Sequence, residues 1–319
     1  MTTLHHLHPG RASLHGQYNA ALTPALTVRS GDVVHAHDLL DVSWGQEQHG
    51  EAGQPRLKWG PREGERDAGP ALHGPIAVEG AEPGMVLEVE LLEVRPGPWG
   101  WTWVGPQPST RAWHAGLGIA PETQALVRWT LDADRGGATS EHGHAVDLAP
   151  FPGMIGVCPA GPGWHEAWSP RQVGGNMDCP ELVVGARLFF PVAVPGALLS
   201  LGDGHARQGY GEVAGTAIEC PMERVAMRLT LHEGQQASGL TALTPRGRVT
   251  FGFDAELHRA AELAMAGMLD HLVEALGVDR SLALALASPV VDLHVTQVVN
   301  GVCGVHAVLP HGALRLPGR

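Results

Sequence analysis

Glycine and proline break the apolar runs of this chain at short intervals from its start to about residue 230, and that spacing constrains the fold more than any other feature. The sequence carries 43 Gly and 25 Pro in 319 residues, and neither suits a helix interior. What fits between such breaks is a series of short strands joined by turns. Leu26-Thr27-Val28-Arg29 and Val33-Val34-His35-Ala36-His37 flank the turn Ser30-Gly31-Asp32. Residues 86–94 alternate with a period of two through their middle, which predicts a half-buried strand with Glu88 and Glu90 facing water. Further strands are expected at 125–131, 188–194, 212–218 and 224–231. Residues 95–122, with four tryptophans, read as a long packed loop. The polar, histidine-rich residues 1–17 read as a frayed end.

The last third has a different character. Leu257, Ala260, Ala261, Leu263, Ala264, Met268, Leu269, Leu272, Val273 and Leu276 recur at helical spacing. Asp254 is placed to cap the start of this helix and Gly277 to close its end in a left-handed conformation. A shorter helix is expected over 281–287. Residues 290–299 and 302–309 then form a hairpin around Asn300-Gly301. The expected class is α+β and mainly β. A sandwich- or barrel-like region spans residues 1–230, and an α+β region, 231–319, packs on it as part of one unit.

Composition removes several functions. The net charge is −12, from 21 basic and 33 acidic residues, with no basic face to follow a phosphate backbone, so a nucleic-acid partner is not expected. No run of 18 apolar residues occurs, so no membrane span is expected, and a cytoplasmic location is the default. Cys158, Cys179, Cys220 and Cys303 form no CxxC pair and are expected as reduced thiols.

Chemistry concentrates between Gly174 and Glu212, a stretch with eight glycines. Asp178 ends a Gly-Gly-Asn-Met segment, where an acid serves either as a helix cap or turn residue or as a ligand. His205 in Gly-Asp-Gly-His-Ala reads as a loop imidazole suited to metal binding or proton transfer. Asp203, two residues before it, is placed to orient that ring or to form a turn. Glu212 is either a proton-transfer group or a solvated strand-end carboxylate. Glu219 lies between apolar neighbours and needs a cation or hydrogen bonds if its side is buried. His35 and His37 share one side of a strand, with Asp38 and Asp41 following. Glu79 breaks a short strand at a glycine, as an active-site acid or a turn carboxylate.

These segments, in order, resemble the acetamidase/formamidase family over nearly the whole chain. The likeness rests on Gly31-Asp32-Val33-Val34, Gly74-Pro75, and Val78-Glu79-Gly80-Ala81-Glu82-Pro83-Gly84. It continues through Gly174-Gly175-Asn176-Met177-Asp178-Cys179, Gly202-Asp203-Gly204-His205-Ala206, Gly215-Thr216-Ala217-Ile218-Glu219 and Gln297-Val298-Val299-Asn300. The resemblance implies hydrolysis of a small neutral amide such as formamide or acetamide to ammonia and acid, with ring-opening of lactams as a variant. It implies a divalent metal, zinc being the expected ion, held by Asp178 and His205 with Glu219. Glu79 or Glu212 is the expected base, and Asp203 a further catalytic acid. The backbone N–H groups around Gly174-Gly175 or Gly202 to Gly204 are candidates to stabilise the oxyanion. Where relatives carry an aromatic residue and then Glu, this chain reads Ala36-His37, so His37 is expected to replace that Glu as a ligand. His73 also stands where a small hydroxyl residue is common. A homodimer is the expected assembly. A non-catalytic binding member of the same fold is the alternative.

Overall fold

The computed structural model describes residues 2–234 and 239–315. Strands make up 39% of the chain and helices 11%, so the mainly β class follows. A nine-stranded sheet runs in the order Leu4–Leu7, Val33–Leu39, Met222–His232, Val86–Pro96, Arg187–Pro191, Thr241–Leu243, Gly247–Asp254, Cys303–Pro310 and Asp292–Gln297. An eleven-stranded sheet is centred on Trp99–Val104, Glu219–Cys220, Leu199–His205 and Phe151–Gly156. Leu72–Val78 also pairs with Leu199–His205 in this second sheet.

The two sheets share one buried apolar cluster. Leu87, Val89, Leu91, Leu188, Val225 and Met227 come from the first, and Ile76, Ile155, Leu199 and Leu201 from the second. This is the packing of a sandwich, each strand alternating inward and outward residues. The helix Leu257–Leu276 lies on Gly247–Asp254 and Cys303–Pro310 through Ala260, Ala264, Met268 and Leu272. Gly252 permits the approach, since a Cβ there would meet the Ala260 carbonyl oxygen at 2.0 Å. Among the described residues, no helix is long and apolar enough to cross a membrane.

Several local expectations need correction. The start is not frayed: Leu4–Leu7 pairs in parallel with the strand at Val33, and Leu14–His15 pairs with Leu72–Val78. Within 95–122 lie the strand Trp99–Val104 and the helix Arg111–Gly116. The Trp99/Trp101/Trp103 alternation is a strand signal that the flanking glycines and prolines obscured. Residues 212–218 form turns, and pairing resumes only at Glu219. Glu88 is buried rather than solvated: Arg187 Nε donates to it at 2.6 Å, and His232 Nε2 lies 2.7 Å away. Burial alone would raise its pKa, but these two partners outweigh it and hold the carboxyl below its ordinary value. Asp254 ends a strand and accepts from the Glu256 N–H, so the helix cap falls at Glu256. Gly277 does close the helix, at φ 66°. The hairpin around Asn300-Gly301 forms, with Asp292–Gln297 antiparallel to Cys303–Pro310.

Candidate metal centre

His205 ends the strand Leu199–His205, all seven residues of which are buried. The glycines around it are close-packing residues of a strand rather than marks of a loop. A Cβ on Gly202 would meet the Ala71 carbonyl oxygen at 2.2 Å, and one on Gly204 would meet that of Cys220 at 2.6 Å. Gln208 fixes the ring. Its Nε2 donates to the Asp178 carbonyl at 2.7 Å, which leaves Oε1 to accept from His205 Nδ1–H at 2.9 Å. The neutral tautomer so selected turns the Nε2 lone pair away from Gln208.

That lone pair faces acids. Nε2 lies 3.3 Å from Asp203 Oδ1, 3.3 Å from Glu219 Oε2 and 3.8 Å from Asp178 Oδ1. Glu212 joins Asp178 and His205 in a second overlapping group. All five side chains are buried. The register of three strands brings them together, with His205 opposite Phe151 on one side and Glu219 on the other. The backbone is bent to deliver them: Asp178, Asp203 and Glu212 sit at φ 47°, 53° and 46°. Asp tolerates the left-handed region, but for Glu it is uncommon and costs energy.

The electrostatics are equally unfavourable without a cation. Burial raises Asp178 to about 7, the Asp203 charge adding to it while His205 opposes. Burial and the neighbouring Glu219 raise Asp203 to about 7. Glu212 is pushed well above its ordinary value by burial and by Asp178. For His205, burial would lower the pKa, but Glu219 and Asp203 carry it well above the usual imidazole range. Asp178 Oδ1, Asp203 Oδ1, Glu212 Oε2, Glu219 Oε2 and His205 Nε2 all lack a hydrogen-bond partner. Buried polar atoms are normally paired, so five orphans in two overlapping groups that share His205 mark a place for a cation. Two ligands bound at roughly 2.0–2.1 Å in a tetrahedron stand about 3.3 Å apart, which matches the separations around Nε2. The oxygen-rich set with one imidazole suits a divalent ion.

Two of the expected site residues lie elsewhere. Glu79 has a side chain 55% exposed and pairs with Arg29 at 3.2 Å. It is a surface turn acid. His37 is on the outer edge of the nine-stranded sheet among other histidines, away from His205. Asp41 is buried but fully engaged, by the N–H groups of Ser43 and Gly45, by Trp101 Nε1 at 2.8 Å and by Arg56. His73 is a core residue whose Nε2 accepts from the Leu40 N–H at 3.0 Å. Of the proposed oxyanion donors, the Gly174 N–H is already given to the Arg171 carbonyl.

Three participants were not among the site residues expected from the sequence. Asn300, hidden in a hairpin turn, donates from Nδ2 to Asp178 Oδ2. Gln208 is visible only as a polar residue three places after His205. Gly153 forms the floor, where a Cβ would meet Asp178 Oδ1 at 2.7 Å and His205 Nε2 at 2.9 Å.

The acids open into a cavity of about 600 Å³ walled by Trp101, Trp103 and Trp168, with Asn176 and Asn300 at its polar end. Trp101 is held in place by Asp41, with the Arg56 guanidinium 5.6 Å from its ring centre. Fold and site together define a mainly β protein, built on two large sheets, with a buried carboxylate–imidazole centre beneath an aromatic cavity.

Known proteins share this arrangement of sheets. The model of the acetamidase/formamidase family matches residues 164–245. An acetamidase of Mycolicibacterium smegmatis is 30% identical over 197 residues, covering 44% of this chain and 48% of that protein. The chain thus spans about half the length of the curated relatives it matches. A predicted acetamidase/formamidase from Thermoanaerobacter tengcongensis superposes with a TM-score of 0.83 at 26% identity, over 97% of this chain and 96% of the other. A gamma lactamase from Delftia acidovorans shares the fold at a TM-score of 0.61 and 20% identity, over 98% of this chain and 94% of the other. The chain is thus similar to acetamidases and formamidases in part of its sequence and across its fold.

Proposed function

We propose that this chain hydrolyses the C–N bond of a small carboxamide to ammonia and a carboxylic acid, at a divalent metal centre, with zinc the leading candidate. The observation that carries this reading is the set of five unpaired buried atoms on Asp178, Asp203, His205, Glu212 and Glu219. The family-model match over residues 164–245 and the likeness to acetamidase and formamidase relatives support it.

Asp203, His205 and Glu219 form one group that would hold the ion, and Asp178 and Glu212 form a second on the same imidazole. A metal bound there would polarise the amide carbonyl and acidify a water. The chain's own groups do the rest. Gln208 keeps the His205 proton on Nδ1, and Asn300 orients Asp178. Trp101, Trp103 and Trp168 would flank the bound amide. Glu212, whose pKa burial and Asp178 raise, suits a group that takes the proton of the attacking water and returns it to the departing nitrogen. Water adds to the carbonyl carbon, the C–N bond breaks, and the transferred proton leaves on ammonia.

The size of the cavity favours a second reading. About 600 Å³ is in the range of drug-sized ligand pockets and far exceeds what formamide fills. A cyclic amide would suit the aromatic walls, and the same steps would open the ring without releasing ammonia.

Purified protein stripped with chelator and reloaded with zinc should recover turnover on one of two panels. Linear amides are followed by ammonia, and lactams by the new amino group. His205→Ala should bind less zinc and lose turnover while keeping its strand signature in circular dichroism. Full activity in that variant, or no turnover on either panel with zinc bound, would overturn the proposal.

A further inference from the structure

The nine-stranded sheet carries a second cluster of ligand-type side chains at its outer edge. Leu4–Leu7 pairs in parallel with Val33–Leu39 in a register that sets His6 beside His35. Side chains two apart on a strand share a face, so His6 and His8 meet His35 and His37. The four rings form a compact group, with centroids 4.7 Å apart for His8 and His37, 5.2 Å for His6 and His37, 5.7 Å for His6 and His35 and 6.0 Å for His35 and His37. His6 Nδ1 lies 2.9 Å from His37 Nε2. One nitrogen from each of His6, His8 and His37 falls within 4.8 Å of the other two.

Ion pairing does not account for this packing. The cross-strand neighbour of His37 is Arg224, whose guanidinium is taken up by Glu93 at 2.7 and 2.6 Å. Protonated, the four rings would repel one another. Imidazole nitrogens gathered this closely are a ligand set for late first-row divalent ions. His6 and His8 are exposed, so an ion could enter without a conformational change.

We propose that His6, His8 and His37, with His35 beside them, form a second, surface site for a divalent transition metal that clamps the N-terminal edge strand onto the sheet. The site is independent of the buried centre and of the proposed activity. An edge strand of four residues has one neighbour to hold it, and a metal shared between it and Val33–Leu39 would add a cross-link.

The test uses the full chain, stripped of metal, in three forms: wild type, the double variant His6→Ala/His8→Ala, and His205→Ala. Zinc is titrated by calorimetry with the bound metal counted by mass spectrometry. Wild type should bind one equivalent more than the double variant, and His205→Ala should keep that equivalent. Copper added instead should show nitrogen hyperfine splitting in electron paramagnetic resonance from at least two imidazoles, retained in His205→Ala and lost in the double variant. Zinc should also slow amide exchange across Leu4–Leu7 by about tenfold in wild type and His205→Ala only. Equal stoichiometry in wild type and the double variant, or an unchanged copper spectrum, would sink the site. Unchanged exchange with the metal bound would sink the clamp. Because the substituted positions are exposed, folding is expected to survive; His8→Gln, which keeps a polar side chain, should reproduce the loss of the site.

Discussion

Asp41 and Asp178 are both buried acids, 0% and 1% exposed, and they differ in every other respect. Asp41 accepts from two backbone N–H groups, a tryptophan and an arginine. Asp178 has one oxygen held by Asn300 and the other, without a hydrogen-bond partner, grouped with Glu212 and the His205 imidazole. Burial alone therefore does not mark a functional carboxylate. A satisfied buried acid builds structure: Asp41 pins Trp101 and the loop that walls the cavity. An unsatisfied one signals something to be bound, because the fold has met the cost of desolvating it without supplying a partner.

The comparison can be broken by making the same change in both. Asp41→Asn removes the partner of Arg56 and should destabilise the fold by about 3 kcal/mol, read from denaturant unfolding. Asp178→Asn should act in the opposite direction in chelator, raising the melting temperature, since it removes one of several crowded buried carboxylates. It should also weaken zinc binding by more than about a hundredfold, a larger loss than an outer-shell change brings. If Asp178→Asn destabilises the stripped protein as Asp41→Asn does, the distinction between the two acids fails.

A smaller effect sharpens the same contrast. Gln208→Leu keeps every candidate ligand but frees the His205 ring from its tautomer. Zinc affinity, measured by competition with a chromophoric chelator, should fall by about 10–100-fold with the fold retained. An unchanged affinity would show that the ring is held by packing against Phe151, 5.1 Å away edge to face, rather than by Gln208.

The sequence made much of this legible and concealed the rest for physical reasons. Period and punctuation located several strands of the nine-stranded sheet, the long helix and the hairpin, and left most strands of the second sheet unread. The strand at His205 was missed because Gly202 and Gly204 look like loop residues. Their true reason, close contact with Ala71 and Cys220 carbonyls, involves chain segments remote in sequence. Asp178, Asp203, His205, Glu212 and Glu219 were legible as candidates. Their convergence was not, because it depends on strand register and on three positive φ angles. His37 was assigned to the wrong group since nothing local shows that Leu4–Leu7 lies in parallel beside it. Asn300 carried a turn signal strong enough to mask its reach to Asp178.

The finest test concerns pH. Asp178 and Asp203, ordinarily near 3.8, stand at about 7 in the fold. Without metal the folded chain holds protons that the unfolded chain has released between about pH 4 and 7. The stability these two groups contribute is therefore complete below about pH 4 and is lost as pH rises through 7. His205, also raised, has the same sign at higher pH. Buried histidines oppose this trend. His15 is lowered to about 4, and His73 and His306 to about 3, chiefly by burial. Each favours the fold increasingly as pH rises toward 6.5. A single melting curve series would mix the two, so the informative quantity is the difference between wild type and Asp203→Asn, which leaves those histidines in place. In chelator, the melting temperature of wild type should fall relative to that of the variant from pH 5 to pH 7.5. With saturating zinc the trend should reverse, because the metal replaces those protons and binds more tightly as they leave. Parallel curves in chelator would mean that Asp203 is ionised in the stripped fold, and the crowding inferred for the centre would have to be relieved by another group.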